Sequence, residues 1–153
     1  WPFAGYGRSK NRNPSEEWWC KLISTLTDSS INVYHFGYFK EPKLSGNKKY
    51  YHNLTNFDFF NQIKISLGCK LAIGTDSGSM WVLAAYNHPI IILGTNWYDN
   101  HTDNLKATIP PILKGECIFN HNNFLSLSTD EVYEKILSYG VKNESFIDKI
   151  FKF

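Results

Sequence analysis

The sequence predicts an α/β domain with a mostly parallel sheet, on three observations. Helix-period and strand-like segments alternate along the chain, with no internal repeat. The clearest strand segments, "KLAIG" and "PIIILG", are continuous apolar runs without polar alternation, the mark of a sheet covered on both faces. A length of 153 residues suffices for one core and is short for two. Right-handed crossovers between such strands give a three-layer, Rossmann-like fold, and residues 1–153 read as a single domain.

The elements follow in order. "WPFAGYGRSKNRN" reads as a strand end plus loop. Pro14 stands where a first-turn proline belongs, Glu16 and Glu17 favour the positive end of a helix, and Trp18, Leu22, Ile23 and Leu26 recur at helical spacing. The first helix is therefore expected over Pro14–Thr27, ended by "DSS". "INVYHFGY" has the β-branched and aromatic content of a strand, and "KEPKLSGNKKYYHN" reads as a polar, turn-rich connection. "NFDFFNQIKISLGC" repeats Phe57, Phe60, Ile63 and Leu67 at helical spacing, with Gly68 as its C-terminal cap.

"KLAIG" is then a short strand, "SGSMWVLAAYN" a buried helix and "PIIILG" a second buried strand. The polar loop "TNWYDNHTDNLKATIPP" leads to "ECIF", a short strand. "STDEVYEKILSYG" closes the pattern with Ser128 as N-cap, Glu131 completing a capping box and a terminal glycine.

Composition narrows the function classes. Apolar residues make 42% and charged residues 20% of the chain, which excludes wholesale disorder. A net charge of +2 is too small to make nucleic acid or an anionic membrane the main partner. No apolar run reaches the ~20 residues of a membrane helix; Met80–Tyr86 and Pro89–Leu93 are separated by Asn87 and His88. Cys20, Cys69 and Cys117 are too widely spaced for a disulfide framework and suit a reducing compartment. The five histidines show no metal-ligand spacing. The first residue is Trp1 and not Met, so a fragment or processed product is the expectation.

Ligands of open α/β sheets bind beyond the carboxyl ends of the strands. The candidate loops are "GYGRSK", "HFGYFKE", "GTDSGS" and "GTNWYDN". The amides opening the helix after Ser77 form an anion site by their direction and by the helix dipole. Arg8, Lys10 and Arg12 can supply full positive charge, and phosphate is the candidate ligand. Asp76 can instead cap that helix through its carboxylate, and the basic residues can be a solvated loop. Trp81 on an apolar helix face reads as core. Trp97 and Tyr98 stand in a polar loop where a purely packing role is harder to argue. No G-x-S-x-G elbow, Walker A loop or G-x-G-x-x-G fingerprint is present.

In this order, "RNPSEEWW", "VYHFGY", "NLTNFDFFNQI", "CKLAIGTDSGSMWVLAA" and "PIIILGTNW" resemble the C-terminal, donor-binding domain of GT-B glycosyltransferases, specifically the heptosyltransferase-like family 9. The match runs from about Gly5 to Trp97. The resemblance implies metal-independent transfer of a sugar, heptose in the best-known case, from a nucleotide diphosphate donor such as ADP-heptose to a glycan, lipid-linked or protein acceptor. That activity would serve lipopolysaccharide or surface-glycan biosynthesis, with no cofactor besides the donor substrate.

By the same resemblance, Asp76, Ser77, Gly78 and Ser79 approach the donor sugar and diphosphate, with Met80 adjacent. Lys10 or Arg8 contacts phosphate, Glu41 holds the nucleoside, and Thr95 and Asn96 line the cleft. Where many members carry histidine after the signature, this chain has Trp81, similar to the autotransporter heptosyltransferases. The acceptor site and catalytic base of such enzymes belong to an N-terminal domain, so no base is assigned and the chain alone is expected to be inactive. The implied location is cytoplasmic, at the inner face of the membrane. Beside this reading stand a non-catalytic nucleotide- or sugar-phosphate-binding module on the same fold, and a plain α/β interaction domain.

Overall fold

The computed structural model describes residues 1–3, 13–95, 114–120 and 127–141. In chain order the elements are α1 (Glu16–Asp28), β1 (Val33–His35), β2 (Tyr51–Asn53), α2 (Phe59–Gly68), β3 (Ala72–Thr75), α3 (Gly78–Ala85), β4 (Ile90–Thr95), β5 (Gly115–Asn120) and α4 (Thr129–Ser138). Every strand pairing among the described residues is parallel. The fold is thus α/β and Rossmann-like, as the doubly apolar strands predict.

The chain forms two compact units, Trp1–Pro14 with Leu71–Leu127, and Ser15–Lys70 with Ser128–Phe153. The first contains the three-stranded sheet in the order β3-β4-β5. Ile91, Ile92 and Leu93 are 0% exposed although successive strand residues point to opposite faces, so both faces of β4 are covered. α3 packs against β3 and β4. On the other edge of β3, the Trp1 amino group donates to the Ile73 carbonyl and the Thr75 N–H donates to the Trp1 carbonyl. These bonds add one parallel rung, in keeping with a strand end at the start of the sequence. Gly74 permits that approach: a Cβ there would lie 2.5 Å from the Trp1 carbonyl oxygen and 2.9 Å from Met80 Sδ.

The second unit holds the β1-β2 pair, in the register Val33↔Tyr51, Tyr34↔His52 and His35↔Asn53. β2 falls inside the segment expected to be a connection. The polar run hides it, because only Leu44 and the aromatic tail of that segment are apolar anchors. Leu44 is buried, and the Asn47 N–H donates to Thr27 Oγ1 on α1, which sets the chain up to enter β2. α1 packs against α4 and β1.

Three helix expectations are corrected. α1 starts at Glu16 because Ser15 is the N-cap, its hydroxyl accepting from the Trp18 N–H, which leaves Pro14 ahead of the helix. Its buried aromatic is Trp19 rather than Trp18, in the row with Leu22, Ile23 and Leu26. In α2 the cap is Asp58, so Phe57 lies outside the helix. The buried face is Gln62, Ile63 and Ser66, while Phe57 and Phe60 are 48% and 82% exposed. Gly68 is the last helical residue, followed by the extended Cys69, and is not a left-handed cap.

The helix ends at "DSS" and "YNH" are Schellman motifs. Ser30 (φ 60) and Asn87 (φ 55) occupy the left-handed position. The Ile31 N–H returns to the Leu26 carbonyl and the His88 N–H to the Leu83 carbonyl. At α4, Ser128 caps as expected, though through the Asp130 N–H, and Gly140 (φ 71) terminates the helix.

Candidate functional site

In the first unit, β3 delivers the chain at Thr75 and α3 begins at Gly78. Ser77 is the N-cap with extended backbone (φ −145, ψ 157), and no side chain among the described residues caps the helix. The first intrahelical bond is from the Trp81 N–H to the Ser77 carbonyl, so helix geometry leaves the amides of Gly78, Ser79 and Met80 without an intrahelical acceptor. A Cβ at Gly78 would meet none of the described residues within 4 Å. The hydroxyls of Thr75 and Ser77 are buried with no hydrogen-bond partner among the described residues. Donors thus gather at one strand end, in the field of a helix N-terminus.

Asp76 does not cap α3. Its Oδ1 accepts from the indole Nε1–H of Trp81 at 2.8 Å, one turn into the helix. Trp81 is half-buried. It combines the packing role expected of it with a polar contact that sequence reasoning missed. The signal available was the spacing itself, since a side chain at the fourth helical position stands above the residue that precedes the cap. Met80 is 0% exposed, its sulfur packed beside Gly74, so this residue lies adjacent to the turn and beneath its surface. A carboxylate held by an indole N–H accepts from hydroxyls; the neighbouring amides donate to anions.

In the second unit, β1 ends in the loop carrying Glu41. Gly37 (φ 154) makes the bend, and a Cβ there would collide with the Glu41 carboxylate. Gln62 is 3% exposed and holds this loop: its Oε1 accepts from the Gly37 N–H at 2.9 Å. Its Nε2 donates to the carbonyls of Gly37 at 3.0 Å and Phe57 at 2.7 Å. Burial raises the Glu41 carboxyl above its ordinary pKa, partly offset by a hydrogen bond from the Tyr38 backbone. Its Oε2 is buried without a partner among the described residues. Gln62 was invisible in the sequence because a polar residue beside Ile63 looks like the solvent side of an amphipathic helix.

Other titratable groups serve the framework. The His35 pKa is lowered by burial to about 3, with Nδ1 2.8 Å from the Tyr51 hydroxyl. Burial pushes the Tyr51 hydroxyl up to about 12 and the Cys69 thiol up to about 11, which leaves both protonated at neutral pH. Arg8, Lys10, Arg12, Asn96, Trp97 and Tyr98 lie outside the described residues, and Thr95 is described only as the last residue of β4. Among the described residues no group of three His, Cys, Asp or Glu side chains could hold a metal ion, and no helix is long and apolar enough to cross a membrane.

No family model matches the sequence, and no curated protein matches it. The fold is similar to that of a solved structure of the E. coli ADP-heptose LPS heptosyltransferase II. That similarity has a TM-score of 0.71 at 21% identity and covers 90% of this chain and 44% of the other. The chain therefore has a heptosyltransferase-like α/β fold and spans less than half the length of that enzyme. Fold alone does not carry activity with it.

Proposed function

We propose that this chain is the donor-binding part of a glycosyltransferase, and that the turn Asp76–Met80 receives the sugar-diphosphate end of a nucleotide sugar. The observation that carries the reading is the start of α3 at the carboxyl end of β3, which no described side chain caps or fills, with an acceptor beside it already oriented by Trp81. The amides of Gly78 and Ser79 bind the diphosphate, with Met80 adjacent, and Asp76 accepts from a sugar hydroxyl. As the bond from the sugar to the nucleotide breaks, negative charge grows on the departing diphosphate. Fixed N–H dipoles at a helix N-terminus stabilise that charge without reorganising. Arg8 or Lys10 adds a full positive charge.

The donor named for the similar E. coli enzyme, ADP-heptose, is the first candidate here. The acceptor is a glycan, a lipid-linked saccharide or a protein, bound by an acceptor domain elsewhere in the enzyme, which also contributes the catalytic base. The Asp76–Trp81 pair supports reading this chain with the transferases that carry tryptophan after the signature.

Calorimetric titration of the full-length protein with a panel of nucleoside diphosphates and nucleotide sugars tests the proposal. One nucleotide should bind, more weakly in Asp76→Ala and Lys10→Ala proteins. A folded protein that binds none of the panel overturns the reading and leaves the turn as a strand-to-helix connection. Turnover with the bound donor and a lipopolysaccharide-type acceptor separates an enzyme from a binding module.

A further inference from the structure

The hydrogen bond to Asp76 uses only one edge of the Trp81 indole. α3 packs on β3 and β4 and buries Met80, Leu83 and Ala84. Trp81 stands on another stripe of the helix, three residues after Gly78 and four before Ala85, both of which are exposed. It is the large side chain of a row whose other members carry at most a methyl group. The Nε1–H bond lies in the plane of the ring, so donating it to Asp76 leaves the two flat faces out of that contact.

The ring also has a fixed direction. Side chains of a helix lean toward its N-terminus. Contact with Asp76, two residues ahead of the first helical residue, shows that this one reaches back past the start of α3. It does not fold over Gly78, because a Cβ built there would meet none of the described residues, the indole included, within 4 Å. A half-buried aromatic ring and a carboxylate thus stand side by side at a bare strip of backbone.

The two groups ask for different chemistry in one ligand. The carboxylate accepts from hydroxyls, and the indole offers an apolar face with negative charge density, which suits C–H groups. A sugar ring carries both, with hydroxyls around its rim and C–H bonds on its face. Bare phosphate carries neither. A nucleobase is flat as well, but in a nucleotide sugar it lies a ribose beyond the diphosphate, whereas the donor sugar is bonded to the diphosphate directly. Phosphate on the amides of Gly78 and Ser79 therefore brings the sugar, and not the base, to a ring one turn along the same helix.

We infer that Trp81 is a sugar-binding residue, its indole face stacked on the C–H face of the donor sugar whose hydroxyl is accepted by Asp76. The inference rests on the donor reading and adds to it the group that favours a nucleotide sugar over the bare nucleotide.

The test titrates full-length wild type, Trp81→Phe and Trp81→Leu with a nucleoside diphosphate and with the nucleotide sugar of the same base, ADP and ADP-heptose being the first pair. Both variants lose the N–H, so only the aromatic ring separates them. Trp81→Leu should bind the nucleotide sugar about tenfold more weakly than Trp81→Phe does, while the two bind the nucleoside diphosphate alike. Melting curves check that both are folded. A measurement on the wild type alone covers the case in which a variant is not: on binding, the C–H proton resonances of the sugar should move upfield in the ring current of the indole. Equal affinities of the two folded variants for the nucleotide sugar, or sugar resonances that do not move, overturn the inference and leave the donor reading standing. So does an equal loss for both ligands in Trp81→Leu, which would put the base against the ring. A wild type that binds no nucleotide and no nucleotide sugar overturns the donor reading and the inference together.

Discussion

The indole nitrogen of Trp81 stands 2.8 Å from Oδ1 of Asp76 and donates to it, so a helix residue aims the carboxylate of the turn that precedes the helix. A hydrogen bond to a charged acceptor contributes about 1.5–3 kcal/mol where it is shielded from solvent, and the low end applies to this half-buried pair. In Trp81→Phe the ring remains and the donor is lost. Donor affinity should fall about tenfold, with a smaller loss of folding stability. Parallel titration and denaturant unfolding check this. Unchanged affinity would mean that Asp76 needs no orientation.

Gly78→Ala separates folding from binding. Its Cβ would meet nothing within 4 Å, and alanine favours a helix over glycine, so the variant should be as stable as the wild type or up to about 1 kcal/mol more stable. The new methyl would stand beside the amides proposed to receive the diphosphate. Donor affinity should therefore drop about tenfold or more while the melting temperature holds or rises. A variant that binds as tightly as the wild type removes the amide cradle from the proposal.

His35 makes stability depend on pH. Burial lowers its pKa in the folded protein to about 3, against an ordinary value of 6.5. Between those values the unfolded chain binds the proton and the folded chain does not. The contribution is therefore complete above about pH 6.5 and is lost as pH falls toward 3, by up to about 1.4 kcal/mol per pH unit. His52 and His88 are shifted in the same direction by burial. Unfolding free energies measured from pH 7 to pH 4 should show this decline, with a shallower slope in His35→Phe.

Ser30 and Asn87 both adopt the left-handed backbone that ends a helix, with φ of 60 and 55. Glycine has no Cβ to oppose that conformation. Ser30→Gly should stabilise the protein by about 0.5–1 kcal/mol, and Asn87→Gly by less, because asparagine tolerates the region better than serine. Thermal melts of the two variants would rank them, and destabilisation by Ser30→Gly would count against the Schellman geometry at α1.

What could be read from the sequence was whatever repeats along one element. The unbroken apolar run of β4 requires cover on both faces. Ser128 and Gly140 bracket α4 with the chemistry its ends demand. The turn Gly74–Ser79 stands out because small and hydroxyl residues open a helix directly after an apolar strand. What could not be read depends on partners distant in sequence or on competition between side chains. Asp76 was equally suited to cap α3 or to meet another donor, and only the placement of the Trp81 ring decides. Gln62 looks solvated until Gly37, 25 residues away, presents the two backbone groups it satisfies. β2 is only Tyr51–Asn53 and takes its identity from pairing with β1, which no local pattern announces.

The packing of α1 on α4 has a consequence for synthesis. Ser29 Oγ and Tyr133 Oη stand 3.0 Å apart across that contact, 104 residues apart in the chain. A ribosome delivers α1 long before its neighbour exists. The whole three-stranded sheet emerges in the interval. The nascent chain therefore carries the part of α1 that α4 covers exposed until residues 129–138 leave the exit tunnel, and completion of this unit is a late, high-contact-order event. Stop codons or truncations ahead of α4 should yield an aggregation-prone polypeptide even though every residue of the candidate donor turn has already been made.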